Sequence, residues 1–185
     1  MIKSRSAALA VALLVLAAAQ LRATVFIPVE LGELVLAARA VAHGRIVDLR
    51  PQVSADHRHV DTLVTLDVAT YLKGNLGPSV TFRVPGGQIG RYRTVVIDAP
   101  HFTLGEEVVL LFGSRGPSIP YVLGMNQGVF RVVSDLVTAE RRVLRAPLLG
   151  EGADWTPVVR GDPSHEPLLL TDFASRVRRI VERER

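Results

Sequence analysis

Apolar residues recur along this chain in three rhythms, and each predicts a different element. The clearest is a period of two. Val60, Thr62, Val64, Leu66, Val68, Thr70 and Leu72 alternate with Asp61, Thr65 and Asp67, which predicts a strand with one buried and one wet face. Lys73-Gly74-Asn75 closes it with turn chemistry. Val80, Phe82 and Val84 alternate with Ser79, Thr81 and Arg83 in a second strand that stops at Pro85-Gly86-Gly87. An extended segment is expected from Ala40 to Leu49 and a weaker one from Tyr92 to Asp98. Glu106 to Phe112 is apolar on both faces after its two acids, which predicts a central strand covered on both sides. Tyr121 to Met125 and Gly128 to Val133 follow as strands. Leu136 to Leu144 can return as a hairpin partner across Ser134-Asp135, or form a helix.

The second rhythm is helical. Leu31, Leu34, Val35 and Ala38 fall on one stripe and predict a helix over Glu30 to Ala38. Phe173, Val177, Ile180 and Val181 do the same after Thr171, a residue able to cap the helix start, and this helix should dock on the strands. The third rhythm is an unbroken apolar run of 13 residues, Ala7 to Ala19, behind the positive Lys3 and Arg5. That is the layout of an export signal and is shorter than the ~20 residues that span hydrocarbon. Cleavage is expected after Ala23 or Ala19, leaving a secreted or periplasmic protein with no membrane attachment; an uncleaved membrane anchor is the alternative reading of the same run.

These elements predict a mainly β fold: a five- to six-stranded OB-like β-barrel with short helices at both ends, since closure removes exposed strand edges. The expected divisions are a signal peptide over 1–23, the barrel over 24–145, an irregular surface segment over 146–170 and a C-terminal helix over 171–185. Trp155 would pin the irregular segment to the body.

Composition narrows the chemistry. The 185 residues include no cysteine, which excludes disulfides, thiolate zinc sites and a cysteine nucleophile. The formal charge of +4 shrinks when the signal is removed: three of the 22 bases lie there with no acid, leaving 19 bases against 18 acids. So neutral a body is a poor footprint for nucleic acid, and aromatics at 5% supply few stacking platforms. No zinc-binding His-Glu-x-x-His, nucleophile elbow or phosphate loop occurs, and no cofactor is expected. Gly113-Ser114-Arg115-Gly116 is a loop.

Two clusters remain as candidates. His57, His59 and Asp61 would share one face if the strand at Val60 extended back to His57. Two imidazoles and a carboxylate so placed could hold a divalent metal in a binding module or metal-dependent enzyme, although such residues at the tip of a polar connection are more often simply solvated. His43, by contrast, is expected as a hydrogen-bonded wall residue and His101 as part of a turn. The glycine-rich loop Pro85 to Arg93 carries Gln88, Arg91, Tyr92 and Arg93, and Tyr and Arg are frequent interface anchors.

The order of elements also resembles a known family. Thr24-Val25-Phe26 precedes a short helix. Then come Ala-Val-Ala-His-Gly-Arg-Ile-Val (Ala40 to Val47), Val-Thr-Leu-Asp-Val-Ala-Thr-Tyr-Leu-Lys-Gly (Val64 to Gly74) and Leu-Gly-Glu-Glu-Val-Val-Leu-Leu-Phe (Leu104 to Phe112). Over about residues 24 to 133 this layout resembles the OB-fold barrel of netrin-like domains and tissue inhibitors of metalloproteinases, and exported bacterial proteins of similar layout. The resemblance implies a non-catalytic module that binds another extracytoplasmic protein, with a protease as one such partner. In those inhibitors the mature N-terminal cysteine chelates the target's zinc. Here Thr24 would stand at that end, without a disulfide to hold it. Docking is then expected at Thr24, Val25 and Phe26 together with Gln88, Arg91, Tyr92 and Arg93. A carbohydrate-binding barrel is the other non-catalytic alternative.

Overall fold

The computed structural model describes residues 29–54, 56–114, 116, 119–135, 138–145 and 167–184. The expected export signal, Thr24 to Phe26 and Trp155 lie outside the described residues. Among the described residues, no helix is long and apolar enough to cross a membrane.

The fold is mainly β. The strands are β1 (Ala40–Val53), β2 (Val60–Lys73), β3 (Ser79–Pro85), β4 (Gly87–Ile89), β5 (Tyr92–Thr94), β6 (Glu107–Gly113), β7 (Tyr121–Val122), β8 (Val129–Ser134), β9 (Arg141–Arg145) and β10 (Leu168–Leu169). Helix α1 (Leu31–Ala37) precedes them, a 3-10 turn at Met125–Gly128 joins β7 to β8, and α2 (Leu170–Arg183) ends the described chain. Eight strands form one sheet in the order β1-β2-β3-β7-β6-β8-β9-β10, and β1 pairs β6 as well. The ladder therefore runs from β1 through β2, β3, β7 and β6 and returns to β1. The sheet exceeds the five or six strands expected because β8, β9 and β10 continue it beyond β6.

Strand β6 has both faces buried, as its sequence predicts. Val108, Leu110 and Phe112 join Ile46, Val64, Leu66 and Phe82 in one core. Phe82 meets the Phe102 and Phe112 rings edge-on at 5.6 and 5.2 Å, the geometry aromatic quadrupoles favour. Val109 and Leu111 point the other way, into a second core with Leu34 and Val35 of α1 and Phe173 and Val177 of α2. Phe130 and Phe173 pack there at 4.9 Å. Both helices thus cover the sheet face that the first core leaves open.

The period-two reading of β2 holds through Val68 and then fails. Pairing with β1 shifts between His43/Gly44 and again between Val41/Ala42, so β2 carries an extra residue at each place. The strand's parity reverses. Tyr71 packs against the first core, Leu72 turns to the second, and Thr70, expected inside, is exposed. Gly44 sits at one of these shifts. A Cβ there would lie 2.1 Å from the Asp67 carbonyl oxygen, so only glycine lets the two backbones approach so closely.

Other boundaries move for local reasons. The strand expected over Tyr92 to Asp98 ends at Thr94, because the Ala99 N–H bonds back to the Val96 carbonyl and Asp98 takes a φ of 63°. The strand expected over Tyr121 to Met125 is two residues long, since Gly124 and Met125 both have positive φ and turn the chain into the 3-10 segment. Of the alternatives for Leu136 to Leu144, the hairpin forms: β9 pairs antiparallel with β8. Thr171 does not cap α2. The helix begins at Leu170 because Leu168 and Leu169, within the stretch expected to be irregular, pair with β9 and set the chain's entry.

Lys73 locks three elements together. Its ammonium donates 2.8 Å hydrogen bonds to the Val35 and Leu36 carbonyls at the C-terminal end of α1 and lies 3.7 Å from Glu184 at the end of α2. A cation there meets carbonyls that the helix cannot satisfy itself.

Candidate functional site: a hairpin of β4 and β5

The loop expected between Pro85 and Arg93 is an ordered two-stranded hairpin. β4 pairs antiparallel with β5 in the register Gly87↔Thr94, Gln88↔Arg93 and Ile89↔Tyr92. Gly90 opens the two-residue turn with φ 56°, a position suited to the primed turns that match strand twist. The Gln88 side-chain amide donates to the Gly90 carbonyl at 3.1 Å.

The base of the hairpin is bonded to the main sheet at three points. Gly86 N–H donates to the Val60 carbonyl at 3.1 Å, the Thr62 hydroxyl to the Gly86 carbonyl at 2.8 Å, and Val60 N–H to the Thr94 hydroxyl at 2.9 Å. Gly87 passes so close to β2 that a Cβ would lie 2.7 Å from the Thr62 hydroxyl oxygen. Downstream, Asn126 holds Asp98 through its backbone N–H (3.3 Å) and side-chain amide (3.4 Å). Burial pushes the Asp98 carboxyl up from its ordinary range, and the Asn126 amide opposes this.

On that base the outward side chains are large. Tyr92 is 64% exposed, Val95 71% and Ile97 72%. The Arg91 guanidinium stands 5.4 Å from the Tyr92 ring centroid, a cation–π contact that partly orders both. Arg91, Arg93 and Gln88 are also exposed. A groove of about 360 Å³ lies beyond the foot of the hairpin, walled by Val84, Pro85, Pro100, Ile119, Val122 and Met125, with Arg83 at its edge. Of the expected docking residues, then, Gln88, Arg91, Tyr92 and Arg93 come together.

The histidine cluster is arranged differently from its expectation. β2 starts at Val60, so His57 and His59 lie in the preceding turn, and His57 has a φ of 57°. The shared strand face does not form. His59 stands between two carboxylates, 3.5 Å from Asp56 and 3.7 Å from Asp61. Asp61, expected on the wet face, is buried and also lies 3.8 Å from Arg83. Asp56 is held below the usual carboxylate range, first by the Ser54 hydroxyl, then by the Arg58 N–H and the charge of His59. Among the described residues, no three metal-ligating side chains gather closely enough to hold an ion.

His43 does bond, as expected, and its partner Glu107 was not foreseen. The ring nitrogen Nε2 lies 2.7 Å from Glu107 Oε1, and Arg141 and Arg45 approach the same carboxylate at 3.1 and 3.6 Å. The sequence signal for it is slight: Glu107 carries the one charge of an otherwise apolar β6, and the β1–β6 register sets Arg45 opposite it. His101 sits in a connection and offers its carbonyl to Arg131. The sequence also gives no sign that Val95 and Ile97, within the weaker strand expected over Tyr92 to Asp98, are exposed.

Compared with known proteins, the chain matches no family profile, no curated sequence and no solved structure.

Proposed function

We propose that this protein is an exported, non-catalytic OB-like β-barrel that docks on another extracytoplasmic protein, in the manner of a metalloprotease inhibitor. The barrel would comprise β1, β2, β3, β7 and β6. Support for it comes from the return of the ladder from β6 to β1 and from the parallel pairing of β3 with β7. The observation that carries the docking role is the β4–β5 hairpin. It couples a base tied to β2 by three hydrogen bonds to a tip with a 64%-exposed Tyr92 beneath an arginine. Pre-organised Tyr and Arg side chains bind at low cost in ordering. Thr24 to Phe26 would complete the rim.

The test is capture from the extracytoplasmic fraction of the source cells, using immobilised mature protein and an Arg91→Ala/Tyr92→Ala variant. A protein retained by the wild type and released by the variant is the expected result. Equal retention by both, or retention of nothing, overturns the proposal.

A further inference from the structure

Charges around the hairpin are not balanced, and the imbalance has one sign. Each carboxylate near it is already engaged. Asp56 bonds to the Ser54 hydroxyl and the Arg58 N–H and faces His59. Asp61 is buried between His59 and Arg83. Asp98 is buried against Asn126. Asp48 pairs with Arg50 at 2.6 Å.

Three exposed arginines have no such partner. Arg58, Arg91 and Arg93 have no carboxylate within ion-pair distance among the described residues, although Arg39, Arg45, Arg131, Arg141, Arg142 and Arg145 all bond to oxygen acceptors elsewhere. Arg91 and Arg93 flank Tyr92 in the hairpin, and Arg58 lies in the turn before β2, the strand to which the hairpin's base is bonded. Arg93 adjoins Thr94, whose hydroxyl takes the Val60 N–H, and Arg58 lies two residues before Val60. Exposed Tyr92, Val95 and Ile97 belong to the same surface segment.

Resting on the docking role proposed above, we infer that the partner presents an acidic protein surface with apolar groups, met by Arg91 and Arg93 of the hairpin and Arg58 of the turn before β2, with Tyr92, Val95 and Ile97 as the apolar contacts. Unpaired guanidiniums bordering exposed apolar side chains gain most from a facing carboxylate surface, because bidentate pairing adds geometry to attraction. The α2 helix carries more arginines but is a weaker candidate. Asp172 and Glu182 stand one turn from Arg176 and Arg178 on its own surface, and the exposed positions described on this helix are all polar.

Two charge-matched variants of the mature protein test this: Arg58→Glu/Arg91→Glu/Arg93→Glu on the hairpin side, and Arg176→Glu/Arg178→Glu/Arg179→Glu on α2. Both change the net charge equally, so a difference between them reports placement. The probe is poly-L-glutamate, with phosphatidylglycerol vesicles beside it and circular dichroism to verify folding. The hairpin variant should bind poly-L-glutamate about tenfold more weakly than wild type, the α2 variant within about threefold, with the wild-type interaction fading as salt rises. Equal losses in the two variants, or vesicle binding stronger than polyglutamate binding, overturn the inference. If the capture experiment yields a partner that survives the hairpin reversal and high salt, the acidic-surface inference fails while the docking role stands. If it yields no partner, the docking role itself has failed.

Discussion

Asp98 combines two unfavourable conditions in one residue: a buried carboxyl and a φ of 63°. Its pKa in the folded protein lies above that of the unfolded chain, because burial penalises the charge. Stability from this site is therefore complete below the ordinary carboxylate range and declines as pH rises through the raised folded value. Asparagine keeps an oxygen for the Asn126 amide, accepts the left-handed backbone and has no proton to lose. Asp98→Asn should raise the thermal midpoint at neutral pH by roughly 2–4 °C, the shift about 1 kcal/mol gives a chain of this size. The gain should vanish when melting is repeated in acid, and a midpoint lowered at neutral pH would contradict it. Gly44 is the opposite case, a residue with no spare room. Gly44→Ala forces a methyl group against the Asp67 carbonyl and should cost about 3 kcal/mol or more, measured by urea unfolding.

At the level of elements, the strands with uninterrupted patterns were legible. β3 and β6 stand where alternation and double-sided apolarity predict them, and α1 buries Leu34 and Val35 from its predicted stripe, with Ala38 buried just past its end. What failed depended on partners rather than on local pattern. The inversion of Tyr71 and Leu72 is set by β1's register, and the start of α2 by the pairing of Leu168 and Leu169 with β9. The hairpin was visible as glycines and polar tips, yet its order comes from bonds to Val60 and Thr62, residues 24 or more positions away. Lys73 illustrates the same limit: in sequence it only ends a strand, whereas in the fold it caps α1. Lys73→Met keeps an unbranched chain one atom shorter and removes its donors. We expect a loss of about 1–2 kcal/mol in chemical denaturation, with the hairpin's binding unchanged.

Across the whole molecule, stability is divided between two cores that share β6 as their common wall. Val108, Leu110 and Phe112 serve one and Val109 and Leu111 the other, so damage to this strand should weaken both cores together. The circuit of strands is far from uniform, however. β1 and β2 match along nearly their full lengths, whereas β3 meets β7 through a single parallel pair, Arg83 with Tyr121, supported by the 3.1 Å bond from Arg83 N–H to the Pro120 carbonyl. A chain of links parts at its thinnest one. In deuterated water the Arg83 amide should exchange well ahead of those of Val64 and Leu110, and equal protection at all three would refute this. The molecule would then breathe through a hinge-like slit beside Pro85 and Tyr121 while the rest of the ring stays shut.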